Sequence, residues 1–568
     1  MVRSVRLLTS LLAFTVVLGC APSTPPPSAG AAPASAPLPQ PKRITVGVQT
    51  ELNAVVTRMV RSGAGTRPGM TEIEQLANAG LTQLDNKNAL APELAEAVPS
   101  TANGLWRVFP DGRMETTWKI RQGAAWHDGT PFTADDLVFS VGVAQDPEMP
   151  LLRNSGLALV ERVSAPDART FVIAWKQPFI DADTIFSANG AVQHLPLPKH
   201  LLEGPLGESK AAYETLPYWS TEFVGLGPYR IQNWALGQSI VLRANDSFIL
   251  GRPKIDEIEL RSYPDPTALI AAMLAEAVDL PLGTSRSTSF DMAQDLKARW
   301  NGSVYFTPGN VLAFWPQLLN PTPPILGDPR LRRALIMGTD RQEMVNAFYA
   351  GNTTVSDTFI GPDEPEFADV KGSAVHYDYD RAKAVEAIEA LGYRHDAEGM
   401  FRDAAGQRLA LELHSGPTDI LQKTKLSAAS QWQQLGVAVA PVNDSDAQRA
   451  DVRYRGTMAG FDTARFGTIT AIQNFKSSEA RLPERGYVGL NTSGYMNPDL
   501  DALIERFYVT IPRPERMQVA AQIVHHLSDQ VVPLLLYYDL TATAIGSRLR
   551  NVYWQGNQMW NAHLWEVG

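Results

Sequence analysis

Short runs in the first 300 residues alternate apolar side chains with polar or small ones. RITVGVQT (43–50) does so through Ile44, Val46 and Val48, ETTWKIR (115–121) through Trp118 and Ile120, and TFVIAW (170–175) repeats the pattern ahead of Gln177-Pro178. A period of two puts alternate side chains on one sheet face, so each run predicts a strand. GLGPYRIQNWALGQSIVLRAN (225–245) predicts two more, Tyr229 to Trp234 and Ser239 to Arg243, joined by a glycine-containing turn. IDEIELRS (255–262) adds another. The period then changes. PDPTALIAAMLAEAVDL (264–280) sets Leu269, Met273 and Ala277 on one stripe with Ile270 and Leu274 beside it, which is helical spacing.

From about residue 305 the pattern shifts to longer helices and short strands. DPRLRRALIMGTDRQEMVNAFYAG (328–351) predicts two helices, with Thr339 capping the second and Gln342 three residues on. YDYDRAKAVEAIEALGY (377–393) predicts an amphipathic helix with Ala384, Ile388 and Leu391 inward and Gly392 as its C-cap. A helix over Leu421 to Leu435 ends at Gly436, and a strand follows over Val437 to Val442. The last helix, Pro514 to Ser528, leads into VVPLLLYYDL, an apolar strand expected to return to the first domain. Helices alternating with strands predict an α/β fold. At 568 residues the chain exceeds one compact core, so two or more domains are expected.

Charge and the N-terminal segment narrow the class. A net charge of −10, with no basic run after residue 43, excludes a nucleic-acid binder, because phosphate neutralisation needs clustered Lys and Arg. Arg3 and Arg6 precede an apolar run from Leu7 to Leu18, and Gly19-Cys20 follows. That is a secretory signal over residues 1–19, with a run too short to span a bilayer. Val17-Leu18-Gly19-Cys20 resembles the bacterial lipobox, in which the cysteine is lipidated, although Leu18 replaces the small residue usual there. Simple secretion with a free thiol is the other reading. Cys20 is the only cysteine, so intramolecular disulfides and cysteine-ligated metals are excluded. The Pro- and Ala-rich stretch up to Lys42 has little to bury and is expected to be an extended tether.

WHDGTPFTADDLVFS (126–140) has the residues of an acid–base or metal site, but each has a structural task. Asp128-Gly129 before Thr-Pro is turn chemistry. Thr133 and Asp136 fit a helix N-terminus, each able to bond the other's backbone. His525 and His526 are adjacent on a predicted helix and point about 100° apart, unlike an i, i+4 metal pair. The remaining histidines are isolated in sequence. No nucleophile elbow, phosphate-binding loop or zinc-protease motif is present, so no catalytic residue, cofactor or metal is expected. Among 12 Trp, 16 Tyr and 20 Phe, most must be core. Trp315, in LAFWPQLLN, stands where the chain would cross between domains, which suits either interdomain packing or ligand stacking.

Together these landmarks resemble the solute-binding proteins of ABC transporters, in the family-5 group that takes up peptides, nickel complexes, opines and some oligosaccharides. The resemblance is carried by WHDGTPFTADDLVFS, LAPELAEA (90–97), LPLPKHLLE (195–203), GLGPYRIQNWALG (225–237), the segment from Asn320 to Arg341, YDYDRAKAVEAIEALGY, QWQQLGV (431–437) and LNTSGYMNPDLDALI (490–504), in family order. It implies a periplasmic-binding-protein type II fold, two lobes around a cleft. Lobe 1 would cover 43–304 with a β-rich subdomain inserted at about 90–215, lobe 2 would cover 305–528, and 529–568 would return to lobe 1. It implies a monomeric carrier, membrane-anchored through Cys20, that encloses a small molecule or peptide and passes it to an ABC permease. A tethered hydrolase and a ligand-sensing lipoprotein without a transporter are the alternatives. Peptide binders of the family pair the ligand amine with an Asp in a loop that corresponds here to Ala464-Arg465-Phe466-Gly467-Thr468, where Thr468 stands at the acidic position. The departure puts free peptides in doubt. Arg465 is then either a partner for an anionic or polyhydroxylated ligand or a solvated loop residue. Phe466 and Gly467 of the same loop, Thr50 and Glu51 after the first strand, Trp315, Tyr537 and Tyr538 complete the expected site.

Overall fold

The computed structural model describes residues 41–57, 69–149, 152, 156–189, 194–283 and 288–568. The expected signal segment, Cys20 and the tether up to residue 40 lie outside them. Pro41 to Gly568 form one compact unit.

The first lobe is built on a five-stranded sheet in the order Leu280–Leu282, Arg43–Val48, Glu257–Ser262, Ser239–Ala244, Tyr229–Ala235. Its first three strands are parallel, and the last two are added antiparallel. Ile44, Val46 and Val48 face one side and pack with Met70, Ile73 and Leu76 of helix Met70–Ala77. On the other side Gly47 lets helix Pro266–Leu274 approach: a Cβ there would stand 2.4 Å from Leu269 Cδ1. A separate antiparallel sheet, ordered Trp106–Val108, Met114–Lys119, Thr170–Trp175, Val160–Asp167, is inserted in the chain between these strands. Its core includes Trp118, Phe171 and Trp175, with helix Ala134–Gln145 laid on it.

The opening of that helix is the expected capping box. Thr133 and Asp136 bond each other's backbone, and Gly129 takes the turn with φ +89°. His127 is a tie to the next segment. The Gly225 amide donates to its Nδ1 at 3.2 Å, which leaves the proton on Nε2 to bond the Gly227 carbonyl at 3.0 Å. Burial holds its pKa down at about 4, so the ring stays neutral.

The second lobe has a sheet ordered Ala438–Asn443, Ala410–Ser415, Phe461–Phe466, Ser303–Pro316, Leu534–Ile545, the first three parallel. Alternation decides what each face meets. Leu312 and Phe314 pack with helices Pro329–Met337 and Asp419–Leu435, while Val311, Ala313 and Trp315 face helices Pro498–Val509 and Arg513–Gln530.

Three sequence expectations change. Asp340, not Thr339, caps helix Arg341–Tyr349, accepting the Glu343 amide at 2.8 Å. The Thr339 hydroxyl is instead occupied with Leu335 O and the Trp432 indole. Helix Arg381–Ala390 closes on Leu391, with Gly392 one residue further at φ +94°. The apolar strand Leu534–Ile545 pairs with Ser303–Pro316, through two register shifts, as part of the second sheet. Only beyond it do Leu549, Met559, Ala562 and Trp565 join the core of the first.

Candidate ligand-binding site

Two long antiparallel strands carry the chain between the lobes. Ser303 to Pro308 pair with Ile545 to Leu540; after a register shift Val311 and Leu312 pair with Tyr538 and Tyr537, and after a second one Ala313 and Phe314 pair with Leu535 and Leu534. Gly309 and Asn310 fall in the first shift, a bulge where backbone pairing is interrupted. The parallel strands of the first sheet end at Val48, Ser262 and Leu282, and those of the second at Ser415, Asn443 and Phe466. Ligands of open α/β sheets bind beyond such carboxyl ends.

Segments just past these ends meet across a cavity of about 290 Å³. Ser289 and Phe290 open helix Phe290–Arg299, while Thr418 precedes helix Asp419–Leu435, and Tyr349, Arg465 and Asp539 complete the wall. Arg465 Nε donates to the Asp539 carboxylate, which also accepts the Tyr349 hydroxyl. Lys423 joins the lobes, 3.2 Å from Asp291 and 2.9 Å from Asp419. Every cation on this wall is thus matched by a carboxylate.

The loop after Phe466 presses on the bulge. A Cβ on Gly467 would stand 2.8 Å from Asn310 Oδ1. Thr468 follows at φ +84°, ψ 143°, a region costly for any residue but glycine. Its hydroxyl bonds Thr470 at 2.8 Å. The Glu364 carboxylate holds the loop by accepting the amides of Ile469 at 2.9 Å and Gly361 at 2.7 Å. Burial raises the Glu364 pKa, and these two amides offset part of the rise. A carboxylate therefore stands behind the loop with both oxygens committed to backbone.

At the end of the first strand, the Thr50 carbonyl accepts the Ser262 hydroxyl at 2.8 Å and Glu51 accepts Asn53 Nδ2 at 3.2 Å. The Thr50 hydroxyl and both side-chain amide atoms of Gln49 are buried without a hydrogen-bond partner. Further from the bulge, Phe179 and Asp181 of the first lobe face Thr470, Gln473 and Tyr508 of the second across a cavity of about 830 Å³. The Ile180 amide there donates to the Tyr508 carbonyl at 3.2 Å.

Thr50, Glu51, Arg465, Gly467 and Thr468 therefore stand at or just past strand ends. Four other expected residues do not present a surface to ligand. Trp315 is five residues beyond the bulge and packs between Phe466 and Phe475, with ring centroids 4.9 and 5.7 Å away. Phe466 belongs to the same aromatic cluster. Tyr537 is fully buried with its hydroxyl on Thr424, and Tyr538 bonds the Ile360 carbonyl at 2.9 Å. Their faces are set by the alternation of the strand Leu534–Ile545, covered on both faces, which turns the two tyrosines into opposite cores. Gln49, Asp539 and Glu364 were not singled out from sequence. Gln49 adjoins the nominated Thr50, but the Asp539 and Glu364 contacts join residues far apart in the chain and leave no local signal.

The profile of the bacterial extracellular solute-binding proteins, family 5 Middle, matches residues 96–475, more than half of the chain. The chain belongs to family 5 of the bacterial solute-binding proteins. Among curated relatives, this family-5 protein is 23% identical to the oligopeptide-binding protein AppA of Bacillus subtilis over 517 residues, 88% of each chain. Among solved structures, AppA of B. subtilis in complex with a nonapeptide matches 93% of this chain and 100% of its own, at 19% identity and a TM-score of 0.69. NikZ of Campylobacter jejuni, in complex with Ni(L-His), matches 92% and 99%, at 19% identity and a TM-score of 0.73. The fold is that of the type II periplasmic-binding proteins. As a family-5 protein it works outside the cytoplasm, capturing a solute and delivering it to an ABC importer. Among the described residues no helix is long and apolar enough to cross a membrane.

Proposed function

We propose that this protein is a monomeric, lipid-anchored carrier that takes a polar solute into the cleft between its lobes and releases it unchanged to an ABC permease. The observation that carries this reading is the pair of crossing strands interrupted at Gly309-Asn310, with the parallel strands of both sheets ending nearby. A bulge in a two-stranded crossing is a place where two lobes rotate with few bonds broken. Thr50, Glu51, Arg465, Gly467 and Thr468 line the closing faces, and Cys20 carries the anchor. Peptides, opine-like compounds, oligosaccharides and other polar ligands are the candidate solutes. Outside the cleft, His127 is neutral and bonded to backbone on both nitrogens, and within it Arg465 is paired, so neither is set up for covalent chemistry.

A ligand that binds only the native state raises the thermal midpoint in proportion to the logarithm of its concentration. The test is a thermal-shift screen of peptides, opines, metal chelates and oligosaccharides, with each stabilising solute recovered and weighed by mass spectrometry. Saturable stabilisation with the solute intact is expected. Turnover of that solute, abolished by His127→Ala or Asp128→Ala, would replace the carrier with a hydrolase.

A further inference from the structure

The chemistry of the first lobe's cleft edge narrows the solute. A cavity of about 210 Å³ lies where helix Met70–Ala77 begins, the strand Leu280–Leu282 ends and the second crossing strand passes. Thr71, Gln75, Thr541, Thr543, Trp554 and Gln558 give its wall its polar and aromatic character. Gln75 is only 8% exposed, yet its Oε1 has no hydrogen-bond partner, and neither has Gln558 Nε2. Val48 pairs with Leu282, so the next residue, Gln49, is level with Gly283 of the wall. Gln49 is also 8% exposed with both amide atoms unpartnered, and so is the hydroxyl of Thr50 beyond it. A buried polar atom left unmet costs stability, so a cluster of them marks a surface made for something else to satisfy.

What would satisfy it is set by charge and shape. Glu72 is the one charged side chain on this wall among the described residues, and it already has an interaction partner. In the neighbouring cavity Arg465 is matched by Asp539, and Lys423 by Asp291 and Asp419. A ligand carboxylate would find no unmatched cation on either wall and would lose its hydration uncompensated, while the one carboxylate of the first wall, Glu72, is already engaged. Side-chain amides present a donor and an acceptor side by side, which pairs with neighbouring hydroxyls, each able to give and take. Trp554 is stacked on Tyr305 at 4.9 Å and 5°, a rigid aromatic platform at the cavity edge on which the apolar face of a sugar ring can lie.

We propose that the solute is a neutral oligosaccharide, with one sugar unit seated against Gln75, Gln558 and Trp554 and the chain continuing toward Arg465. This rests on the carrier reading. The test uses the full-length mature protein, with neutral cello-, malto- and xylo-oligosaccharides, free peptides and nickel chelates as probes, read by tryptophan fluorescence and thermal midpoint. One oligosaccharide series binds saturably and with little dependence on salt. Gln75→Ala and Gln558→Ala each weaken it about tenfold or more while leaving the midpoint of the unliganded protein unchanged or higher, because each removes an unmet polar group. Trp554→Phe keeps the Tyr305 stack and reduces the fluorescence change. Binding of peptides or chelates alone overturns the oligosaccharide assignment and leaves the carrier intact. Oligosaccharide binding indifferent to Gln75 and Gln558 overturns the placement. No binding by any class, in folded protein, overturns both.

Discussion

Asp181 and Asp183, on the turn Ala182–Thr184 and beside it, meet the second lobe in a setting that disfavours their charge. Burial lifts Asp181 to about 6; the Arg516 guanidinium opposes the rise and Glu366 adds to it. Burial lifts Asp183 to about 7, with Asp181 adding to it and Arg516 opposing. Arg516 compensates only in part, because its guanidinium donates to the Thr510 and Ile511 carbonyls at 3.3 and 2.8 Å. Of the other charged neighbours, Arg513 is taken by Asp369 at 2.8 Å, and the Tyr508 hydroxyl donates to Thr470 O. Both acids have folded pKa values above those of the unfolded chain, so the native state holds more protons between pH 4 and 7. Their contribution is fully present below about pH 4 and is lost as pH rises through 6 and then 7. A rise of about two units for Asp181 sets a ceiling of about 3 kcal/mol for that group. Partial solvent access lowers the realised value. The perturbation is the double substitution Asp181→Asn with Asp183→Asn, which keeps shape and removes charge. Calorimetric midpoints at pH 8 and pH 5 are the assay. The variant should exceed the wild type at pH 8 by a few degrees, on the scale of about 1 °C per kcal/mol for a unit of this size, and by less at pH 5. An equal difference at both pH values would refute the assignment of the strain to these two charges.

Three further outcomes follow from the geometry. Thr468→Gly should raise the midpoint, since the present φ of +84° costs about 1–3 kcal/mol and glycine adopts it freely; no change would mean the loop relaxes elsewhere. Arg465→Ala should weaken solute binding by about an order of magnitude or more by titration calorimetry, a loss of about 1.4 kcal/mol, and unchanged affinity would remove Arg465 from the site. Gly227→Ala should destabilise the first lobe by about 1–3 kcal/mol in urea unfolding, because the new Cβ would lie 2.5 Å from the Ala77 carbonyl carbon and the Asn78 amide; a neutral result would show that this backbone contact can open.

Strand and helix positions were legible in the sequence wherever a buried face imposed a period. The strand predicted at Thr170 to Trp175 is observed with those bounds, and helix Asp419–Leu435 begins two residues before its predicted start. Caps were legible where two residues bond each other locally, as Thr133 and Asp136 do, and illegible where a distant side chain intervenes, as Trp432 does at Thr339. The candidate site was legible in the sequence only where its residues follow strand ends. Trp315, Tyr537 and Tyr538 carry the letters of a binding surface, but sheet alternation and the helices on both faces make them core. Arg465 stood out as a cation, while the carboxylate that neutralises it, Asp539, lies 74 residues away and becomes its neighbour only through sheet pairing.

The central claim is that a solute is enclosed and kept whole. Native mass spectrometry of the protein purified from its own cells, followed by denaturation and analysis of what is released, tests it most directly. The account predicts one bound solute per chain, recovered intact and rebinding to the emptied protein. A protein that carries nothing, takes up no solute offered to it, or returns cleaved products would contradict it.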